Sequence, residues 1–423
     1  PPRSTLFPYT TLFRSVTIKH HQRTFPVYKE GKLTNNFVAF QDGPADPLGN
    51  IRLGYEEVIN ARLEDAFFYF EKDKERPFEQ YVDGLQGILF QRGLGTLRDK
   101  TERTTALSSE ISRRLKAKSD ELFEVERTAL LAKADQITRV VQEFPELQGI
   151  MGRIYAEASG EKSGVALGIE EHYRDNLVPT TLTGAVVGVS DRIDTLAGNF
   201  AIGNIPSASK DPYALRRKAS FIFRTMHHLG WKLDLLELLE RALNNLNKTS
   251  EETLDSLKDF FSSRYEAFLL ERGFSMNIAR SVKMWWRFPY LGVRAAEAIS
   301  EYVKNEDFND LLIAYQRVHN ISRGHSGNSF DGSKFIEQAE RDLLNNYLKC
   351  FDDVMEALER DDFEKSLQLL TSLKPHIDRY FDDVFVMAEQ EDIRLNRLGF
   401  LKSVDQLFLK IGDLSLLLEE ERV

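Results

Sequence analysis

The sequence predicts a mainly α-helical protein with a short mixed α/β segment at its front. Apolar residues recur at helical spacing from about residue 55 onward. Before that point, short runs of β-branched and aromatic residues alternate with turn-forming residues. The 423 residues correspond to about three domains of ~150 residues. A hydrophobic fraction of 42% beside 29% charged residues indicates folded domains rather than a disordered chain.

The strand pattern lies in residues 16–41. VTIKHHQRTFPVY (16–28) and NNFVAF (35–40) are predicted strands, and EGK (30–32) between them is a predicted turn. The Gly- and Pro-rich segment DGPADPLGN (42–50) is a predicted loop. These elements form the short α/β segment.

The helical pattern begins with YEEVINARLEDAFFYFEKD (55–73) and continues almost to the end of the chain. It is interrupted at 272–274, at 288–292 and in the Ser-, Gly- and Asn-rich loop SRGHSGNSFDGS (322–333). We expect a buried stripe near the C-terminus, formed by Val384, Met387, Leu398, Leu401, Val404, Phe408 and Ile411. Between these regions, periodicity predicts helices over roughly 76–91, 100–118, 120–143, 150–158, 162–174 and 181–198.

Composition and motifs exclude several classes of protein. The lone cysteine, Cys350, rules out a disulfide scaffold and a zinc ribbon, and indicates a reducing compartment. Its acidic neighbours raise the pKa of a thiol, so a half-buried helical cysteine is favoured over a nucleophile. No apolar run approaches the ~18 residues of a membrane span. The sequence contains no GxxxxGK[ST], GxSxG or HExxH motif, nor a GxGxxG between a strand and a helix.

The first fifteen residues have a separate origin in our interpretation. Thr5 to Ser15, TLFPYTTLFRS, match codon by codon the translation of a common sequencing-adapter oligonucleotide. The stretch lacks the apolar core of ~7–15 residues that an export signal needs. We therefore predict that residues 1–15 are an assembly artefact and that the natural protein continues upstream of Val16.

Two segments resemble the core helices of HD-type phosphohydrolases, namely LLAKADQITRVVQEFPELQG (130–149) and VVGVSDRIDTLAG (186–198). Working members of that fold hold a divalent metal with a His-Asp pair and a distant Asp. Here the pair reads Ala134–Asp135, and the distant position is Asp191. Two carboxylates without imidazoles match such metals poorly. We predict no metal here and favour the interpretation in which both Asp residues hydrogen-bond within a packed core; metal-dependent hydrolysis is the alternative.

Two basic segments are candidate nucleic-acid contacts in a chain with net charge −10. Between Arg264 and Arg294, six basic and two acidic residues surround Trp285, Trp286, Phe288 and Tyr290. Cations among stackable rings suit single-stranded RNA, but packing of both Trp residues in a helix interface is an equally open alternative. The second segment, SKDPYALRRKASFIFRTM (209–226), carries a basic helix that suits an RNA backbone or an acidic partner. Its cations are Arg216, Arg217, Lys218 and Arg224.

A longer set of segments resembles one known family. It includes HQRTFPVY (21–28), ARLEDAFFYF (61–70), LGTLRDKTER (94–103), EFPELQGIMGRIYA (143–156), SDRIDTLAGNFAIG (190–203), SKDPYALRR (209–217), RVHNI (317–321) and YFDDVFVMAEQEDIRLNRLGFL (380–401). From Val16 to about Leu417 the chain is similar to the β subunit of bacterial glycyl-tRNA synthetase.

The resemblance implies an assembly of two α and two β chains that joins glycine to tRNA(Gly) with ATP. The adenylate-forming site, with ATP and Mg²⁺, is expected on the α subunit, so this chain is expected to bind no cofactor and to hold no catalytic residue. It also implies a degenerate HD-type helical domain and a C-terminal DALR-type helical anticodon-binding bundle. Ala134 stands where the HD fold has a ligating His, so the resemblance does not carry the metal over.

The resulting hypothesis is a cytoplasmic, tRNA-binding fragment of a glycine–tRNA ligase β subunit, with no membrane contact. The alternatives are an HD-type metal-dependent phosphohydrolase and a purely structural subunit that binds only the α chain. We predict an α/β remnant over 16–75, an HD-like domain over 76–235, a connecting region over 236–291 and an anticodon-binding domain over 292–423. The candidate tRNA contacts are Arg216, Arg217, Lys218, Arg280, Lys283, Arg287, Arg317, Asn320, Arg323, Arg394, Asn396 and Arg397.

Overall fold

The computed structural model describes residues 10–21, 24–40, 43, 49–207 and 209–417. The chain divides into two compact units, one ending at Gly198 and the other beginning at Asn199. The mainly helical fold that the sequence predicts is confirmed. The predicted domain boundaries and the predicted adapter segment stay predictions. Residues 1–9 of that segment, and residues 42 and 44–48 of the predicted loop, lie outside the described residues.

The front of the chain is only partly the strand pair that its pattern predicts. Strands β1 (Phe25–Lys29) and β2 (Lys32–Val38) form an antiparallel hairpin, as expected. Glu30 and Gly31 both have positive φ, 51° and 74°, which is the geometry of a tight two-residue hairpin turn.

The prediction of a strand from Val16 is wrong at its start. Helix α1 (Thr10–Val16) continues into a π-helical turn over Thr17–His21. Phe13 and Ile18 are buried, and the Phe13 ring meets Phe144 edge-on at 5.7 Å. Burial of that helical face outweighs the strand preference of the β-branched residues, which depends strongly on context.

The first unit continues as helices joined by short turns. The helix predicted over 76–91 is wrong, because 3₁₀ turns flank a single helical turn there and a small hairpin follows, with β3 (Leu89–Gln91) paired to β4 (Gly95–Thr96). The helix predicted over 120–143 is broken by a 3₁₀ turn at Ala134–Ile137. The helices are α2 (Asn50–Lys74), α3 (Tyr81–Gly84), α4 (Leu97–Arg114), α5 (Ser119–Leu131), α6 (Arg139–Glu143), α7 (Ile150–Ala158), α8 (Ser163–Glu171) and α9 (Leu182–Ala201).

A buried carboxylate fixes the start of α6. Both oxygens of Asp73, at the end of α2, accept backbone hydrogen bonds of 3.0 Å from Arg139 and Val140. Tyr155 donates a further hydrogen bond of 2.9 Å to Asp73. These contacts satisfy backbone donors at the N-terminus of the helix that would otherwise be unpaired.

The second unit is helical throughout its described part. Phe223, Phe261, Tyr265 and Phe268 cluster at its centre, with ring centroids 5.2–5.8 Å from Phe223. The helices are α10 (Leu215–His228), α11 (Leu235–Asn245), α12 (Glu251–Glu271), α13 (Met276–Ser281), α14 (Pro289–Tyr302), α15 (Phe308–Ser322), α16 (Gln338–Glu359), α17 (Phe363–Thr371), α18 (Lys374–Asp383) and α19 (Glu391–Leu409).

The C-terminal bundle packs α19 against α15, and α16 against α17 and α18. Within the predicted buried stripe, Leu401, Val404, Phe408 and Ile411 have no exposed surface. The prediction for Met387 is wrong, because it lies between α18 and α19, where the chain is not helical, and is half exposed. None of the helices in the described part of the chain is long and apolar enough to cross a membrane.

Candidate nucleic-acid interface

The HD-like position Asp191 lies in a buried ion-pair cluster. Its Oδ1 atom is 3.1 Å from the Nζ atom of Lys133 and 3.3 Å from that of Lys100. The Lys100 ammonium also donates to Asp194 and Thr195, at 3.0 and 2.8 Å. Burial alone favours the neutral carboxyl, but the two lysines outweigh it and hold the pKa of Asp191 well below its usual range.

His172 joins this cluster, and the sequence motif did not identify it. Its Nδ1 atom donates to the carbonyl of Ile169 at 2.7 Å, and its Nε2 atom lies 3.0 Å from Nζ of Lys133. Since Lys133 is the donor in that second contact, Nε2 accepts and the imidazole is neutral. Burial and the charge of Lys133 lower the pKa of His172 well below its usual value.

The other HD-like position, Asp135, is fully buried in the 3₁₀ turn after Lys133. Its Oδ2 atom accepts a hydrogen bond of 2.6 Å from the backbone of Gly149. Burial raises the pKa of Asp135 to about 6, although backbone donors and Lys133 oppose the shift. Asp135 therefore organises the start of α7.

This donor set does not fit a divalent metal. The lysine amines already neutralise Asp191, and the Nε2 lone pair of His172 is used by Lys133. Among the residues that the structure describes, no three His, Cys, Asp or Glu side chains form a group able to hold a metal ion. Asp135 and Asp191 make hydrogen bonds and ion pairs within a packed core. These contacts support no hydrolytic role.

The two tryptophans of the 264–294 segment pack against other side chains of the second unit. Trp286 is buried and stacks on Phe261 at 5.7 Å. The Nε1 atom of Trp285 donates to the carbonyl of Ile411 at 2.8 Å, and its ring meets Phe363 edge-on. Trp286 is therefore closed to a stacking base and Trp285 is only partly exposed, so packing is the alternative that the structure favours.

The cations of the same segment differ in their surroundings. Arg287 makes a two-pronged ion pair with Asp234, which caps α11 by accepting from the backbone of Leu236. It therefore supports the fold. Arg280 is exposed, with Nε 3.5 Å from Oε1 of Glu266, and Lys283 is also exposed. These two side chains face solvent, where a phosphate can reach them.

The 209–226 segment contributes one exposed guanidinium at the start of α10. Arg216 donates to the carbonyl of Ser207 and is half-buried. Arg217 is exposed, and Lys218 is half-buried. Asp211 caps α10 by accepting from the backbone of Leu215 and Arg216, at 2.8 and 3.0 Å.

In the C-terminal bundle, three of the predicted contact residues have structural partners. Arg397 is buried, and its Nε atom donates to Glu340 at 2.7 Å. Arg317 pairs with Asp378 at 2.5 Å, and Arg394 donates to the carbonyl of Ala388 at 3.1 Å. The burial of Arg397 argues against a direct contact with RNA.

Asn396 also has a structural role, because it clips the 322–333 loop to α19. Its Oδ1 atom accepts from the backbone of Asp331 at 2.6 Å, and its Nδ2 atom donates to the carbonyl of the same residue at 3.1 Å. At the other end of the loop, Asn320 and Arg323 are exposed. These two side chains lie at the C-terminal end of α15, next to the loop.

Comparison with known proteins identifies the family. A family model described as "Glycyl-tRNA synthetase beta subunit" matches residues 10–284. The chain belongs to this family. A second model, described as "DALR anticodon binding domain", matches residues 311–415, and this confirms the C-terminal bundle that the resemblance implied.

Curated glycine–tRNA ligase β subunits align with almost the whole chain. The protein of Thermotoga petrophila is 46% identical over 407 residues, which are 96% of this chain and 60% of that protein. The Thermotoga neapolitana protein is 48% identical over 94% of this chain and 58% of its own length. The Clostridioides difficile protein is 36% identical over 96% and 61%. The chain thus spans about three fifths of the length of these relatives.

The two family models cover all of the predicted contact residues except Arg287, which lies between the two matched ranges. The glycyl-tRNA synthetase β-subunit model covers the HD-like positions and the cations from Arg216 to Lys283. The anticodon-binding model covers the predicted contacts from Arg317 to Arg397. The exposed members of the two groups are Arg217, Arg280, Lys283, Asn320 and Arg323.

Proposed function

We propose that this chain is the tRNA-binding part of a glycine–tRNA ligase β subunit and that it holds tRNA(Gly) for ATP-dependent glycylation. One observation carries the proposal, namely the anticodon-binding match over 311–415 in a chain of this family. The lysine-paired Asp191 supports a binding role over hydrolysis.

The proposed contacts are the exposed polar side chains of the second unit. Asn320 and Arg323 lie at the C-terminal end of α15, and we assign them to the anticodon loop, whose unstacked bases offer edges to Asn and Arg. Arg217, Arg280 and Lys283 are assigned to phosphates, which set position without reading sequence. Arg287 and Arg397, with their internal partners, are assigned to the fold.

The proposed partner is the α subunit, in an assembly of two α and two β chains. We place ATP and Mg²⁺ on the α subunit and assign this chain no catalytic residue. A cytoplasmic location accompanies that role. Under this proposal, the chain contributes tRNA binding and orientation to the reaction.

A salt titration tests the proposal directly. We expect a fluorescent tRNA(Gly) transcript to bind the chain at 50 mM salt and to dissociate as salt rises to 200 mM. Each neutralised phosphate contributes about 0.7–0.9 to the slope of log K against log salt, because counterions are released. No binding at low salt, or binding that does not change with salt, contradicts the proposal.

Charge reversal separates tRNA binding from a purely structural role. The double variant Arg280→Glu/Lys283→Glu is expected to lose tRNA binding at least tenfold and to keep its association with the α subunit, as measured by gel filtration. Lys304→Glu is the matched control, since Lys304 is exposed and pairs only locally with Glu301 among the contacts described. If reversal leaves tRNA affinity unchanged, the structural alternative stands.

The charging reaction itself gives the third measurement. We expect no glycylation of tRNA by this chain alone, and reduced or absent glycylation when it is mixed with the α subunit. Turnover by the isolated chain would contradict the assignment of catalysis to the α subunit.

A further inference from the structure

The segment between α9 and α10 forms a cleft within the second unit. Residues 203–207, 210–213 and 215 line this loop cleft, whose volume is about 260 Å³. Ile205 and Tyr213 lie on it with 52% and 42% of their surface exposed. Lys210 is exposed on the same cleft, and the Asn204 amide also lines it.

Hydrogen bonds among its own residues and with α10 stabilise the loop cleft. The backbones of Ser207 and Lys210 exchange hydrogen bonds of 3.0 and 3.3 Å, and Arg216 donates to the carbonyl of Ser207. Asp211 holds the start of α10 with both carboxylate oxygens, so its charge is committed to the helix. These hydrogen bonds hold the backbone at residues 207, 210 and 211, which belong to the lining of the cleft.

A residue beside the loop cleft, between the lining residues Tyr213 and Leu215, is held in an unfavourable backbone conformation. Ala214 has φ 51° and ψ 40°, a left-handed conformation that costs an L-residue about 1–2 kcal/mol. The other non-glycine residues with positive φ in the described part of the chain have ordinary reasons. Glu30 lies in a hairpin turn, and Lys116, Asn247 and Asp361 follow helix ends.

Ala214 instead precedes a helix, and its methyl group offers no cap. Backbone strain of this kind persists where the surrounding structure enforces it, and it is concentrated at binding sites. The left-handed conformation of Ala214 ends the turn that contains Tyr213 and leads the chain into the basic helix α10. The strained residue is therefore the direct neighbour of the exposed Tyr213 ring.

The chemistry of the loop cleft suits one nucleotide. The Tyr213 ring and the Ile205 side chain both line the cleft and offer a surface for a base, and Lys210 can neutralise a phosphate, whereas the Nδ2 atom of Asn204 already donates to Oδ1 of Asn199 at 3.4 Å. The cleft lies below the ~300–1,000 Å³ of pockets that take drug-sized ligands. This size favours a single base over a longer segment.

We propose that the loop cleft binds one unpaired nucleotide of the tRNA, with its base against Tyr213 and its phosphate at Lys210. The inference rests on the proposed function, because the nucleotide belongs to the RNA that the chain holds. It adds a single-nucleotide site on the α9–α10 loop, separate from the contacts assigned to the anticodon bundle.

Affinity measurements with the tRNA(Gly) transcript test the site. Tyr213→Ala is expected to weaken binding about tenfold, which is within the range for loss of a base–aromatic stack, and Tyr213→Phe is expected to retain affinity. Lys210→Gln is expected to lower the salt slope by about one. Phe123→Ala is the control, since Phe123 is exposed on α5. Thermal melting checks that each variant is folded.

Failure of the site and failure of the proposed function give different results. If the unchanged chain does not bind tRNA at low salt, both fall. If the unchanged chain binds tRNA and the affinity of Tyr213→Ala is within twofold of that of the unchanged chain, only the single-nucleotide site is contradicted. Loss of affinity in Tyr213→Phe equal to that in Tyr213→Ala also overturns it, because the phenyl ring still stacks.

Photocrosslinking identifies the occupant. With p-benzoylphenylalanine in place of Tyr213, we expect an adduct that maps to a nucleotide in a single-stranded part of the tRNA. Adducts with paired nucleotides only, or with the α subunit in place of RNA, overturn the proposal.

Discussion

The Nζ atom of Lys133 lies 3.1 Å from Oδ1 of Asp191. Asp191 stands where a working HD-type site has a metal-ligating carboxylate, and here a lysine amine pairs with it. The same amine contacts Nε2 of His172 at 3.0 Å and lies 4.2 Å from the centre of the Tyr173 ring. The ammonium group of Lys133 thus neutralises the carboxylate of Asp191 from within the protein.

Removal of that amine is expected to destabilise the first unit. Lys133→Met leaves Asp191 with Lys100 alone, and breaking a buried ion pair lowers the free energy of unfolding by about 3 kcal/mol. Urea denaturation measures the change, with Lys304→Met as a surface control that stays within about 0.5 kcal/mol. Because the two residues interact, adding Asp191→Asn is expected to cost less than the sum of the single changes. Simple additivity would contradict the pairing.

The raised pKa of Asp135 predicts how its contribution to stability depends on pH. Its folded pKa of about 6 lies above the ordinary value of 3.8, so between these values the folded state binds the proton more tightly. The contribution is therefore greatest below about pH 4 and is lost as pH rises through 6. The stability advantage of Asp135→Asn, which resembles the protonated form, over the unchanged chain should therefore grow by ~2 kcal/mol between pH 4.5 and pH 8.

Denaturation curves at the two pH values check this expectation. Asp83→Asn is the control, since the Asp83 side chain is 90% exposed. A stability difference between Asp135→Asn and the unchanged chain that is the same at pH 4.5 and pH 8 would contradict the assigned cause.

Two arginines near the 322–333 loop are expected to give opposite results. Arg397→Met removes the buried partner of Glu340 and is expected to lower the free energy of unfolding by about 3 kcal/mol. Arg323→Gln changes an exposed side chain, so it should leave stability within about 0.5 kcal/mol and weaken tRNA binding. Calorimetry and tRNA titration on both variants make the comparison, and a large stability loss in Arg323→Gln would remove the assignment of Arg323 to RNA.

Gly399 is expected to be intolerant of even a methyl group. A Cβ atom there would lie 2.1 Å from the backbone oxygen of Ser329, so Gly399→Ala must push the loop away from α19. We expect a stability loss of about 1–3 kcal/mol and faster cleavage of the loop by a protease. Gly324→Ala, in the same loop with no atom near its Cβ position, is the control. Equal cleavage rates in the two variants would contradict this packing.

Cys350 is expected to be unreactive in the folded chain. Burial, helped by Asp353, raises the pKa of its thiol to about 12, and its Sγ atom lies 3.4 Å from the carbonyl of Leu369. Because the thiolate is the nucleophile, modification by a disulfide reagent at pH 8 should be at least about a hundredfold slower than in urea. Absorbance follows the reaction of this single thiol, and comparable rates in the two conditions would show that the site opens readily.

Helix periodicity predicted most of the fold because each amphipathic helix repeats its apolar positions every three or four residues. Local sequence pattern failed at Thr17–His21, where it predicted a strand, and at Leu89–Gln91, where it predicted a helix, because short elements follow tertiary packing more than local preference. Such packing depends on contacts that are remote in the chain, as between Phe13 and Phe144.

The candidate contact residues were harder to predict because a cation's partner is often distant in sequence. Arg287 and Asp234 are separated by 53 residues, and Arg397 and Glu340 by 57. Local sequence predicts on which face of a helix an arginine lies, but not which distant carboxylate forms an ion pair with it. The sequence alone shows one of the two lysines near the HD-like positions, because Lys133 directly precedes Ala134–Asp135. The contact of Lys100 with Asp191 could not be predicted, because it depends on the packing of α4 beside α9.

The clip between Asn396 and Asp331 has a consequence for the thermodynamics of association. Fixing one residue's backbone costs roughly 1–2 kcal/mol of conformational entropy, and folding of the chain has already ordered the loop that follows Arg323. A ligand arriving at this edge meets a surface that loses little freedom on contact. Under the proposed function, we expect most of the conformational entropy lost on binding at this edge to come from the RNA.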